Sequence, residues 1–439
     1  MLLCRRSRLA AIIAAAAMVG PVLDARAADG DSPETTPDQP SNVSPPPAER
    51  SPFGEKYYSA APTAQRRPLM QLLDRAGVAG PLDDARIRIF GHVEAGYTFN
   101  PDDPAQDLNL GRVFDVEANQ AVFNQLDLAF ERTVNLSKTE WDVGGRVELL
   151  YGGDARFIHS NGMFDNEDFF DGPENQFDVP QLYADVNVPV GNGLRVRAGK
   201  FLFFKQIDPN ASVFYSHSYT FGGALPFTLT GITGYYELNK EWAFEAGISR
   251  GWGQSLEDNN GTIDYLGRIR YSPNDRTSFA VLFITGPEMD GDNGAFRTAV
   301  DFVGSHRVTD KLTCMFDLVY GRQNNPQAAL LPSVTTPQDA ADWYGAAGYL
   351  VYRVDDRFSV AGRVEWFRDD EGFASVLAVP QDIYEATLGV TITPMPNSEI
   401  GRNLKIRPEI RYDWSSEKFF DGLTSDNQFT AAVDVIFNF

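Results

Sequence analysis

Residues 86–100 read RIRIFGHVEAGYTFN, and the alternation in this stretch decides the fold. Every second residue belongs to an apolar set: Ile87, Ile89, Gly91, Val93, Ala95, Tyr97 and Phe99. The residues between them include a polar set: Arg88, His92, Glu94, Thr98 and Asn100. A helix could not separate these two sets, whereas a β-strand places one set on each of its faces. The stretch therefore predicts a strand with one apolar and one polar face.

The same alternation recurs to the end of the chain, in about 16 segments of the roughly ten residues that a tilted strand needs to cross a bilayer. Short connections, such as 191–193, 239–241 and 309–311, alternate with long ones at 101–120, 152–178, 205–226, 323–341 and 415–427. One further loop, the acidic stretch 290–294, is expected before a strand that begins at Phe296. Short periplasmic turns and long extracellular loops are typical of an antiparallel transmembrane β-barrel.

Periodicity alone does not separate this barrel from a soluble β-sandwich, but three further features favour the barrel. The polar faces mix arginines with acids, as a charged lumen would. The chain ends inside a strand with a terminal aromatic, Phe439, which is predicted to be the signal read by the barrel-assembly machinery. Aromatics near strand ends are interpreted as girdles at the membrane interfaces: Tyr97, Phe99, Trp141, Tyr151, Trp242, Trp252, Tyr271, Trp343, Trp366 and Trp414.

The N-terminal part divides into three segments before the barrel at 86–439. Residues 1–27 combine three early arginines, an apolar run and the small-x-small end Ala25–Ala27, which predicts a secretory signal peptide. Residues 28–67 are a disordered leader rich in Pro and Ser, and 68–85 hold a short helix and a linker. The expected location is the outer membrane of a diderm bacterium, in contact with its lipid.

Composition excludes several other functions. The formal net charge of −22 over 439 residues argues against a nucleic-acid partner, because such proteins collect Lys and Arg. Only 2 Cys and 4 scattered His are present, so no metal site is predicted. No phosphate loop, dinucleotide fingerprint or hydrolase motif appears, so no catalytic residue, no cofactor and no enzyme activity are expected.

Four stretches of the barrel resemble one family. Residues 88–100 (RIFGHVEAGYTFN) resemble the first strand of the OmpL-like, type-2 β-barrel porins. Residues 198–201 (AGKF), 214–221 (FYSHSYTF) and 226–231 (PFTLTG) are similar to the most recognisable segment of that family. Leu229 stands where a histidine would be expected. The resemblance covers the barrel but not the leader, and it implies an outer-membrane channel without catalytic residues.

Charges on the polar strand faces are the candidates for pore-lining residues. Acids lead by about 16 to 12 when charges are assigned by parity, which predicts a weak preference for cations. The alternative is that many of these charges form cross-strand ion pairs that stiffen the wall. The predicted residues are Glu94, Asp127, Glu131, Arg146, Glu148, Asp185, Arg195, Arg197, Arg268, Arg270, Asp301, Asp317, Arg363, Glu365, Arg407, Glu409, Arg411 and Asp434.

The predicted function is a porin for passive diffusion of small hydrophilic solutes and ions, since about sixteen strands enclose a water-filled lumen. The loop 205–226 either folds inward and narrows this lumen or forms an ordinary extracellular loop. A non-conducting scaffold or adhesin barrel is one alternative function, and a barrel-borne hydrolase is another. The sequence leaves the oligomeric state open, with a homotrimer as one candidate.

Overall fold

A computed structural model describes residues 66–104, 107–167, 172–326, 340–374 and 379–439. The predicted signal peptide and nearly all of the predicted leader lie outside the described residues.

Sixteen antiparallel strands form one closed barrel, as the sequence predicts. Each strand pairs with its neighbours in the chain, and the last strand pairs with the first. The strands are β1 Ile87–Phe99, β2 Ala121–Arg132, β3 Asp142–Gly152, β4 Gln176–Val188, β5 Leu194–Leu202, β6 Thr228–Glu237, β7 Trp242–Ser249, β8 Asp264–Asn274, β9 Thr277–Met289, β10 Asp292–Arg307, β11 Leu312–Asn324, β12 Ala340–Arg353, β13 Phe358–Asp369, β14 Gln381–Ile392, β15 Leu404–Ser415 and β16 Asn427–Asn438.

The two ends of the chain close the barrel. Val93 on β1 lies opposite Phe437 on β16, and the register continues from there along both strands. Beyond β16, the backbone of Phe439 makes two hydrogen bonds of 2.9 Å with the backbone of Gly91. Closure leaves no strand edge unpaired, which is a requirement for strands inside a bilayer.

Connection lengths distinguish a turn end of the barrel from a loop end. The turn end carries the connections 133–141, 189–193, 238–241, 275–276, 308–311, 354–357 and 393–403. The loop end carries the longer ones, with one exception that corrects the sequence analysis. The expected acidic loop 290–294 is a two-residue turn at 290–291, because Asp292 already belongs to β10. Gly291 has a φ of 68°, the left-handed conformation that such tight hairpin turns favour.

The outer face of the barrel is apolar, as a lipid-facing wall must be. Large side chains on alternate positions of the strands are exposed, including Val364, Leu350 and Leu388. Two tryptophans assigned to the interfacial girdles are the exception. Trp252 and Trp343 are buried inside the loop end, where their rings make an edge-to-face contact. Burial there separates them from any membrane interface.

Two short helices precede the barrel: α1 Pro68–Arg75 and α2 Ala79–Asp84. The sulfur of Met70 in α1 accepts a hydrogen bond from the backbone N–H of Ile89, so α1 packs against the first residues of β1. The remaining helical segments are 3-10 turns at Gly153–Phe157, Pro209–Ala211 and Gly401–Asn403, and a short helix α3 at Tyr219–Gly223. Within the described residues, every helix is too short or too polar to cross a bilayer.

Candidate functional site

The connection 203–227 between β5 and β6, here called the inward loop, lies inside the barrel. Its contacts reach inward-facing side chains on widely separated strands. Gln125 on β2 donates a hydrogen bond of 2.9 Å to the carbonyl oxygen of Ile207. Trp343 on β12 donates one of 3.2 Å to the carbonyl oxygen of Ala224. Of the two arrangements left open by the sequence, the structure has the inward one.

Two wall carboxylates hold the middle of the inward loop through its backbone. Glu409 on β15 accepts hydrogen bonds from the N–H groups of residues 215 and 216, at 2.8 and 3.1 Å. Glu365 on β13 accepts from those of residues 219 and 220, at 2.7 and 2.6 Å. Bonds to an ionised carboxylate are about twice as strong as bonds between neutral groups. These two side chains therefore fix the loop and the start of α3 against the wall.

Three wall arginines bind the carbonyl side of the same loop. Arg363 on β13 donates to the carbonyl oxygen of Ser216 at 2.9 Å, and Arg411 on β15 donates to that of His217 at 2.5 Å. Arg407 on β15 donates to two loop carbonyl oxygens at 2.7 and 2.8 Å. Donors and acceptors of the loop backbone thus both find charged partners on the wall.

Apolar packing completes the docking of the loop. Side chains of the loop share one buried cluster with inward-facing residues of β8 to β12, so this half of the interior is largely apolar. The loop contributes Phe203, Phe204, Phe214, Tyr219, Ala224 and Leu225, and the strands contribute residues such as Leu266, Leu282, Ile284, Val319 and Ala347. The other half of the wall, from β13 around to β5, carries most of the charges.

All of the predicted pore-lining residues lie on strands, and almost all of them are buried. The exceptions are Arg268, Glu131 and Arg270, whose side chains keep 28, 14 and 13% of their exposure. Arg268 also reaches the inward loop, where it donates to the carbonyl oxygen of Phe203. Burial of the others follows from ion pairing and from contact with the loop.

Many of these charges form ion pairs between strands. The sequence left such pairing open as the alternative to charges that line the pore. Arg197 holds Asp185 with two hydrogen bonds of 2.8 and 2.9 Å, which is the bidentate geometry that favours arginine. Further pairs between strands are Arg195–Glu245 at 2.6 Å, Arg407–Asp434 at 2.5 Å and Arg407–Glu94 at 3.5 Å. Arg146 and Glu148 form a pair of 2.6 Å within β3. Asp127 lies near His92, at 3.8 Å.

Several charged residues of the interior were missed by the sequence analysis. Glu385 on β14 and Asp413 on β15 bind Arg363 and Arg411, and their positions follow the same parity, which could have found them. Arg112 comes from the connection between β1 and β2, and its guanidinium lies 2.8 Å from Asp413. A loop has no periodicity, so no pattern in the sequence pointed to Arg112.

Two titratable nitrogen groups of the inward loop lie in surroundings that disfavour their charged forms. The amine of Lys205 is fully buried without a hydrogen-bond partner and lies 3.6 Å from the ring centre of Phe227. Burial holds the pKa of Lys205 well below its usual value. Burial and the nearby arginines, Arg363 first among them, likewise hold the pKa of His217 well below its ordinary value. The His217 ring stacks on Phe221, with 3.8 Å between the ring centres, which gives it a packing role.

The described residues do not form a metal site with three or more protein ligands. No group of three or more His, Cys, Asp or Glu side chains is arranged among them to hold an ion.

The sequence model of the OmpL-like beta-barrel porin-2 family matches residues 86–439. The chain belongs to this family. The porin is an outer-membrane channel for solute diffusion, and its family and fold indicate a channel rather than an enzyme.

Solved structures agree with the porin at the level of the fold. OprB of Pseudomonas putida is 14% identical with a TM-score of 0.52, over 83% of this chain and 97% of that one. The outer-membrane channel DcaP of Acinetobacter baumannii is 12% identical with a TM-score of 0.51, over 80% and 97%. OmpT of Vibrio cholerae in its trimer form is 11% identical with a TM-score of 0.50, over 80% and 99%. No curated protein matches the porin in sequence.

Proposed function

We propose that the porin conducts small hydrophilic solutes and ions by passive diffusion past the inward loop, which narrows the lumen. The observation that carries this proposal is the docking of residues 203–227 on inward-facing side chains from β2, β12, β13 and β15. A sixteen-stranded barrel is otherwise wide enough for an aqueous channel. The loop then sets the size limit for solutes.

The path is proposed to follow the charged half of the wall, with most of the predicted pore-lining residues along it. Water reaches the side chain of Glu131 on that side, which supports a hydrated route there. Arg268 and Arg270, which water also reaches, lie on β8 in the other half. The predicted pore-lining set contains ten acids and eight arginines, and this small excess of negative charge favours cations.

The porin is further proposed to be exported by its signal peptide, with release after Ala27, and to be assembled through its C-terminal strand. The proposed recognition element is Phe439, which closes the barrel against Gly91. A homotrimer in the outer-membrane lipid is proposed by analogy with the trimer form of OmpT.

Liposome swelling with uncharged sugars of increasing size tests the channel. Swelling that is fast for the smallest sugars and falls steeply with size supports a narrowed pore. A non-conducting scaffold is the second candidate, because the inward loop and the ion pairs bury most of the interior. Liposomes that carry folded barrels and do not swell in any sugar would favour that scaffold.

A further inference from the structure

Carboxyl groups meet in pairs at several places inside the barrel. In each pair the two side chains come from neighbouring strands and are near enough to interact directly. Four of these pairs are Glu94–Asp434, Asp127–Glu148, Asp264–Glu288 and Asp301–Asp317. Two adjacent carboxylates in a buried site repel each other and need a compensating positive charge.

An arginine supplies this charge in three of the four pairs. The guanidinium groups are Arg407 beside Glu94–Asp434, Arg146 beside Asp127–Glu148 and Arg297 beside Asp264–Glu288. The first of them is the tightest, with its nitrogen 2.5 Å from an oxygen of Asp434. The interior therefore follows a consistent rule of one arginine for each carboxyl pair.

The fourth pair breaks this rule. Asp301 on β10 and Asp317 on β11 are 0% exposed, and their carboxyl groups lie within hydrogen-bonding reach of each other and of the Thr220 hydroxyl. Neither side chain forms an ion pair among the described residues. The nearest arginine that acts on Asp301 is Arg268, which pairs with Glu245 instead.

The surroundings of this pair cannot solvate two charges. Asp301 lies opposite Val319 in the strand register, and Asp317 lies opposite Val303, so each acid is flanked by a buried valine of the apolar cluster. Moving one carboxylate into such an environment costs several kcal/mol even after relaxation. Either a retained proton or a bound cation would remove that cost.

We propose that Asp301 and Asp317 bind a divalent cation of the Ca²⁺ type. Two carboxylates carry the two negative charges that a divalent ion neutralises, and Ca²⁺ accepts bidentate carboxylates in a flexible shell of oxygen ligands. Thr220, at the start of α3 in the inward loop, faces Asp317 and can add its hydroxyl oxygen. No nitrogen or sulfur ligand is needed for a hard cation of this kind.

The ion has a mechanical consequence for the inward loop. It would join β10 and β11 to α3, next to the point where Glu365 binds the backbone of residues 219 and 220. Cation binding therefore strengthens the docked position of the loop. The site itself does not depend on the proposed conduction.

Equilibrium dialysis with radioactive Ca²⁺ tests the site on the complete barrel in detergent, after removal of bound metal with EDTA. The wild-type barrel is expected to bind one Ca²⁺ per chain more than D301N. Its melting temperature should rise by a few degrees on addition of Ca²⁺, because a ligand that binds only the folded state stabilises it. D301N should lose this rise, and D317N gives the same test through the partner carboxylate.

The matched control is D264N, which changes a carboxyl group of a pair that already has its arginine. Its Ca²⁺ stoichiometry should equal that of the wild type. Equal stoichiometry in the wild type and D301N would overturn the proposal. So would a D301N barrel that melts higher than the wild type in EDTA and in Ca²⁺ alike, as expected if the pair holds a proton. Sugar flux, measured separately, shows whether the channel fails independently of the ion site.

Discussion

Lys205 of the inward loop has a buried amine without a hydrogen-bond partner among the described residues. Its amine lies among aromatic rings, and Phe221 and Phe227 offer it only their faces, at 5.0 and 3.6 Å. Cation–π contact offsets a part of the cost of burial, but it replaces none of the three hydrogen bonds that an ammonium group makes in water. Burial of the Lys205 amine therefore destabilises the docked loop locally, although the backbone of the loop is well hydrogen-bonded.

Replacement of this lysine by an apolar side chain of similar length should stabilise the barrel. We expect Lys205→Met to raise the free energy of unfolding by about 1–3 kcal/mol at neutral pH, the usual cost of an unsatisfied buried polar group. Urea titration of the folded barrel, followed by tryptophan fluorescence, measures this change. Lys240→Met, at an exposed position of a turn, is the control and should change little.

The stability gained by Lys205→Met should also depend on pH. Because burial lowers the pKa of Lys205 in the folded protein, the unfolded chain binds this proton more tightly. The wild type therefore loses stability as the pH falls below about 10, the pKa of a free lysine. The advantage of Lys205→Met should be largest at low pH and should fall, above about pH 10.4, to the smaller constant part that comes from the unsatisfied neutral amine. An advantage that does not change with pH would contradict the burial of an ionisable amine.

At the scale of elements, the inward loop is held by charged side chains and by close steric fit. Glu365 and Glu409 accept four backbone N–H groups of the loop between them. Two strands away from β15, Tyr215 lies directly against β1 at Gly96. A Cβ at Gly96 would lie 2.3 Å from the Cζ atom of Tyr215, so only glycine allows this contact.

Removal of the two carboxylates should release the loop. The double variant Glu365→Gln, Glu409→Gln loses the ionic part of four hydrogen bonds, and we expect about 1.5–3 kcal/mol less docking energy at each position. Hydrogen exchange of the amides at 215–216 and 219–220 should accelerate strongly, and channel conductance should rise. Glu131→Gln, a wall carboxylate that no loop backbone group contacts, is the control. If amide exchange in the double variant is as slow as in the wild type, these two carboxylates do not hold the loop.

A single methyl group at Gly96 should have a similar effect. Gly96→Ala forces Tyr215 away from β1 and should also accelerate exchange at 215–216 and raise conductance. Gly348→Ala is matched to it, because Gly348 is also a strand glycine but has no atom within 4 Å of the added methyl. If both variants behave like the wild type, the loop does not depend on contact with β1.

The sequence predicts the elements of this porin better than their contacts. Period-two alternation in stretches such as 86–100 is local, so the strands, their approximate starts and their inward faces could be derived. The tight turn at 290–291 was missed, since acidic and glycine residues also suit a longer loop. Trp252 and Trp343 were assigned to the outer surface, because a strand-end aromatic suits either side.

The contacts of the inward loop could not be derived at all. Glu365 and Glu409 look like other polar wall residues in the sequence, and only the folded loop gives them four N–H groups to bind. Arg112 enters the interior from a connection without any pattern. Ion pairing between distant strands depends on the closed barrel, which no local signal encodes.

At the scale of the whole molecule, the distribution of charge should decide ion preference. The predicted pore-lining set holds ten acids and eight arginines, and several of these arginines are engaged by acids of the wall. A lumen with excess negative charge attracts cations. The outer wall is apolar over the same height, so the field is confined to the channel.

Single-channel recording in a planar bilayer, with a salt gradient across it, tests the central claim that this barrel is a channel narrowed by its inward loop. We expect discrete conductance steps, a reversal potential on the cation side, and larger steps for Glu365→Gln, Glu409→Gln than for the wild type. A folded, heat-resistant barrel that never conducts, in the wild type or in the released variant, would contradict the account.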